Sequence, residues 1–138
     1  IIAMAAVCNG QAPCPRCGVV HSTAVQSSRS VASGTLNVVT LLNRQRAAMG
    51  GLYPLSMDPT LQAVAERRVI LTARKAGGRF AGHPAGSFSP ARMEGVGWTS
   101  KQNPTAVNAC GTYTQKYRSC GAAMLRTSRG CFFAVVYR

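Results

Sequence analysis

The run Phe132-Phe-Ala-Val-Val-Tyr137, near the C-terminus, restricts the fold more than any other stretch. Read as a strand, it sends Phe132, Ala134 and Val136 to one face and Phe133, Val135 and Tyr137 to the other. Both faces are apolar, so the strand must be covered on both sides. Thr127-Ser128-Arg129-Gly130 precedes it, and Cys120-Gly-Ala-Ala-Met-Leu-Arg126 precedes that turn. The spacing predicts an antiparallel hairpin with Arg126 opposite Cys131.

Two amphipathic helices supply the covers. Leu36 to Met49 places Leu36, Val39, Leu42 and Met49 on one broad face, and Gly50-Gly51 stops it. Leu52 to Leu55 reads as extended, because the residue before Pro54 avoids the helical region. Asp58-Pro59-Thr60-Leu61 is an N-cap acceptor followed by proline at the first helical position. It predicts a second helix ending in Arg74-Lys75 before Gly77-Gly78. Residues 79–94 read as a loop, and Gly95 to Trp98 as a strand start or a turn end. Asn103-Pro104-Thr105 repeats the cap-then-proline signature and predicts a short helix over 104–109. The expected class is α+β, a three-layer α-β-α sandwich with a small antiparallel sheet.

The first 34 residues read differently. Ile1 to Val7 is an apolar stub, and residues 1–12 are expected to be a signal-peptide remnant. Residues 13–34, rich in Cys, Pro and Ser, read as an arm or linker, and the folded domain is expected over 35–138. Six cysteines in a small basic chain suit an oxidising compartment, so a secreted, periplasmic or extracellular location is expected. Cys14-Pro-Arg-Cys17 reads either as half of a zinc knuckle or as a small disulfide. In the hairpin, Cys120 lies about six residues from the position opposite Cys131. At ~3.3 Å per residue that is roughly 20 Å, against a bridging limit of about 7 Å between Cα atoms. The expected pairings are therefore Cys110–Cys120 first and Cys110–Cys131 second.

Lys and Arg total 16 against 3 acids, a net charge of +13. The cations are scattered rather than gathered in one tract, so no specific nucleic-acid contact is expected. Such a field draws the chain to an anionic polysaccharide or lipid surface. No apolar run of roughly 18 residues is present, so no transmembrane span is expected.

Taken in order, Leu42-Asn43-Arg44-x-Arg46, Gly51-Leu52-x-Pro54-Leu55 and Asp58-Pro59-x-Leu61-x-x-Val64-Ala65 form a recognisable series. His83, Glu94-Gly95-Val96-Gly97, Gly121-Ala-Ala and Phe133-Ala-Val-Val-Tyr137 continue it. Over residues 36–98 and 119–137 the chain resembles the CAP superfamily (SCP-like; cysteine-rich secretory, antigen 5 and pathogenesis-related proteins) in its compact bacterial form. The resemblance implies an exported domain with a cleft holding two histidines and two glutamates that bind a divalent cation. His83 matches the first histidine and Glu94 the first glutamate. Gly95 stands where the family has Asn, and Thr112 takes the second histidine's place in Gly111-Thr-Tyr-Thr-Gln115. The expected cleft comprises His83, Glu94, Trp98 and Asn43.

His83 and Glu94 are two ligands, where catalytic zinc normally takes three. They read either as a weak zinc or calcium site or as a structural hydrogen-bonded pair. His21 lies in the arm, and Glu66 has no special placement in the second helix. His83, Glu94 and Ser87 as a triad is a weak combination, since no Gly-x-Ser-x-Gly elbow is present. Trp98, Tyr113 and Tyr117, with Lys116 and Arg118, read as an aromatic and basic lip or as half-buried packing. The expected function is non-catalytic binding of an anionic envelope or extracellular ligand. The alternatives are a metal-dependent hydrolase using His83 and Glu94, and a structural element of a surface assembly.

Overall fold

The computed structural model of this chain describes residues 35–138. The segments expected to be a signal-peptide remnant (1–12) and an arm (13–34), with Cys14, Cys17 and His21, lie outside them. Helix α1 spans Thr35–Ala48 and α2 spans Pro59–Arg74. The strands are β1 (Ser56–Met57), β2 (Met93–Thr99), β3 (Ser119–Thr127) and β4 (Gly130–Tyr137), ordered β1-β3-β4-β2 in one sheet. The class is α+β, with two helices and a four-stranded sheet. The sheet is mixed rather than wholly antiparallel, because Ser56-Met57 runs parallel to Ser119-Cys120.

The hairpin forms as expected, with Arg126 opposite Cys131 and Cys120 opposite Tyr137. Strand β4 is buried along its whole length, between β3 and β2. Phe132, Ala134 and Val136 pack with Leu61, Val64, Ala65 and Val69 of α2. On the opposite face, Phe133, Val135 and Tyr137 pack with Val38, Val39 and Leu42 of α1 and with Val107. The helices therefore lie on opposite faces of the sheet.

The start of α2 is pressed onto β3. Asp58 Oδ1 accepts from the amides of Thr60 (2.8 Å) and Leu61 (3.2 Å), as an N-cap should. The Asp58 amide donates to Cys120 O (2.9 Å) and the Ala122 amide to Gln62 Oε1 (3.0 Å), extending the hydrogen bonding of β3 beyond the short β1. Only glycine fits at position 121, because a Cβ there would run into the Leu61 carbonyl. The Arg138 guanidinium closes onto Asp58 Oδ2 at 2.6 Å. The Asp58 carboxyl sits below its ordinary range, chiefly through the Leu61 amide, with burial opposing and Thr60 and Arg138 assisting.

No helix forms over 104–109. Tertiary contacts take that backbone instead. Gln45 accepts from the Val107 amide (2.8 Å) and donates to the Val107 carbonyl (3.3 Å). The Asn108 side chain donates to Trp98 O and the Cys110 amide to Val96 O (3.2 Å), so residues 108–110 lie along β2. Among the described residues, no helix is long and apolar enough to cross a membrane.

Candidate functional site

The buried face of α2 carries Leu61, Val64, Ala65, Val69 and Thr72, and Arg68 falls among them with 3% of its surface exposed. A guanidinium in that position must find a partner. Glu94 provides it, since on β2 it shares the α2 face with Val96, two residues on. Arg68 Nε donates to Glu94 Oε2 at 2.5 Å and Nη2 to Oε1 at 3.0 Å, a two-pronged ion pair. The same guanidinium donates to Pro84 O (2.7 Å) and Ala85 O (2.9 Å) and lies over the Phe88 ring. Arg68 thus anchors both Glu94 and the loop that follows His83. Burial pushes the Glu94 carboxyl upward, but the hydrogen bonds and charges of Arg68 and His83 outweigh it and hold the group below its ordinary range.

Lys75 fixes the other side of the loop by donating to His83 O at 2.7 Å. The His83 side chain is half exposed, and its Nδ1 lies 2.9 Å from Glu94 Oε1. An ionised carboxylate only accepts, so Nδ1 donates to it, and in the neutral form of the ring Nε2 is left as the acceptor. Nε2 faces Cys110 Sγ at 3.6 Å. Cys110 reaches this position because residues 108–110 run along β2. A Cβ at Gly95 would run into Cys110 O, and one at Gly97 into Asn108 O. Glycine at positions 95 and 97 is therefore required by close backbone approach.

The side chains run in series, Arg68–Glu94–His83–Cys110, from buried to exposed. Both oxygens of Glu94 already accept from N–H donors, and the Arg68 charge lies against them. This donor set does not fit zinc or calcium. Among the described residues, no group of three His, Cys, Asp or Glu side chains is placed to hold a metal ion.

The other expected site residues are dispersed. The Asn43 amide is latched to Leu55, donating to its carbonyl (2.9 Å) and accepting from its amide (2.8 Å), so it braces the turn after α1 rather than lining a cleft with His83. Thr112 is buried and donates to Ala109 O at 2.6 Å. Neither expected pairing of Cys110 is made. Cys110 is an exposed free thiol, whereas Cys120 and Cys131 are free and buried in the α1-side core. Burial pushes the Cys120 thiol up to about 12 and raises Cys131 as well. Tyr113 lines a cavity with Gln45 and Thr112, while Tyr117 stacks on Tyr137. The expected lip therefore divides.

Trp98 lines a separate cavity of about 620 Å³ with Arg79, Phe80, Ser100 and Arg129. Across the described surface the charge is unbalanced. Of the three acids, Glu94 is buried against Arg68, Asp58 is paired with Arg138, and Glu66 accepts from Gln62 (3.1 Å). Arg44, Arg67, Arg74, Arg79, Arg92 and Arg129 are all exposed.

Arg68 and the Cys110–His83 contact were not anticipated from the sequence. Arg68 left a signal, a cation at helical spacing inside an apolar stripe. Cys110 left none, since its partner depends on how residues 100–118 fold back onto β2. The fold and site define an α+β domain in which a buried Arg–Glu pair aims a surface histidine at a free thiol. No protein-family model, curated protein or solved structure matches the chain.

Proposed function

We propose that this chain is an exported CAP-like domain that binds an anionic polysaccharide or lipid surface of a cell envelope or extracellular matrix. The observation that carries the reading is the cavity lined by Arg79, Phe80, Trp98 and Arg129. Guanidinium groups there meet sulfate, phosphate or carboxylate, and the aromatic rings offer apolar surface to the sugar or lipid between the charges. The uncompensated surface arginines add long-range attraction. Helices on both faces of the sheet support the three-layer α-β-α arrangement of the CAP superfamily, as do the motifs in order. The N-terminal apolar stub supports export. The metal-dependent alternative loses its footing because Glu94 is already engaged by Arg68.

Trp98 is the chain's single tryptophan, so its fluorescence reports on this cavity directly. The test titrates a heparin-like sulfated polysaccharide, and in parallel vesicles of anionic lipid, at low and high salt. Binding should perturb Trp98 emission and weaken steeply as salt rises, and Arg79→Ala with Arg129→Ala should flatten the salt dependence by about one unit of slope per arginine. Affinity that persists unchanged in high salt, or is untouched by the double variant, would refute the proposal.

A further inference from the structure

We propose that Cys110 is a thiol nucleophile served by His83, forming a site that takes acyl groups from carboxylic esters. This goes beyond anion binding and uses a different region of the molecule. Three observations converge on it. The thiol is exposed and unbridged. His83 Nε2, the acceptor nitrogen of the neutral ring, lies 3.6 Å from Sγ. Behind the imidazole, Glu94 holds Nδ1 at 2.9 Å, with 1% of its own side chain exposed, and is itself gripped by Arg68. The nucleophile, its base and the group that orients the base therefore stand in line, with the reactive end toward solvent.

Ala109 and Gly111, the chain neighbours of Cys110, line a cavity of about 480 Å³ with Gln45, Val107, Asn108 and Tyr113, and the Cys110 thiol itself lies outside that lining, on the His83 side.

As Sγ attacks the ester carbonyl carbon, His83 Nε2 takes the thiol proton. The S–C bond forms and the carbonyl π pair moves to oxygen. When that pair returns, the C–O bond breaks and the departing alkoxide takes the proton from Nε2. An acyl thioester on Cys110 and a free alcohol result. Water then attacks the thioester carbon while giving a proton to His83. The C–S bond breaks, the carboxylic acid leaves, and the thiolate recovers the proton. Only ester and water are consumed. Glu94 and Arg68 touch no reacting atom and act as positioning residues.

The experiment treats the full, reduced chain with p-nitrophenyl acetate, following nitrophenol release and mapping acetylated peptides by mass spectrometry. Acetyl should appear on Cys110, and turnover should vanish in Cys110→Ala. In His83→Ala, acylation should fall by roughly 10²-fold or more with the circular dichroism unchanged, since positioned acid–base groups contribute about 10²–10⁴-fold. The half-exposed imidazole makes that variant the safer one for folding. Glu94→Gln should move the pH profile of acylation, a shift that a purely structural role would not produce. Equal acylation of Cys110 in His83→Ala and the parent, or acetyl spread evenly over the other thiols, would overturn the proposal.

Discussion

Replacing Glu94 by alanine leaves the Arg68 guanidinium buried with only loop carbonyls and the Phe88 ring for company. Both carboxylate contacts are lost, including the 2.5 Å bond from Nε. Breaking a buried pair by removing one partner typically costs about 3–5 kcal/mol, because the other charge stays desolvated. That is a large share of the ~5–15 kcal/mol that stabilises a typical domain. At roughly 4 °C per kcal/mol, the melting temperature should fall by about 12–20 °C. Guanidinium titration followed by Trp98 fluorescence measures the loss, and Arg68→Met with Glu94→Leu is the control. Removing both charges at once should cost far less than Glu94→Ala alone. The Glu94 carboxyl is held below its ordinary range when folded, by Arg68 and His83 against the opposing effect of burial. Protonation therefore favours the unfolded chain. The stabilisation is complete above the ordinary glutamate range and is lost as pH falls through the lowered folded-state value. The gap between parent and Glu94→Ala should accordingly shrink in acid. A loss below about 1 kcal/mol at neutral pH, or a double variant no better than the single one, would refute this account.

Three further outcomes follow from the packing. In the native state a thiol reagent should modify Cys110 and spare Cys120 and Cys131, which are buried and whose thiols burial pushes upward, Cys120 to about 12. Peptide mapping before and after unfolding checks this, and native labelling of Cys120 would contradict the described core. Gly121→Ala should destabilise by about 1–3 kcal/mol or more, because the added methyl meets the Leu61 backbone, which cannot move without lifting α2 from β3. Ala76 sits in the left-handed region at φ 59°, so Ala76→Gly should raise stability by up to about 1 kcal/mol in the same titration. A loss there would mean that the added freedom of the unfolded chain outweighs the relieved strain.

Several elements were legible because their causes are local. The Asp58-Pro59 cap, the glycines after α1 and the apolar faces of Phe132–Tyr137 each specify a conformation within a few residues. The hairpin register followed from the same kind of reading. His83 and Glu94 were singled out together, and they do meet. The short helix expected over 104–109 failed because Gln45 of α1 takes the backbone of Val107. Cap propensity cannot weigh a partner 62 residues away. The cysteines were misjudged for a related reason, since spacing can exclude a bridge but does not say which thiol lies in a core. Sequence by itself determined the helices, the doubly covered strand and the excess of positive charge. These depend on periodicity, capping and composition, which act over short range or as simple sums. Only the tertiary structure decided that Arg68 would engage Glu94, that His83 would turn its second nitrogen to Cys110, and that Trp98 would join Arg79 and Arg129 instead. Each of those pairings rests on desolvation and close approach between segments distant in sequence, and that energy exists only once the sheet and helices have come together.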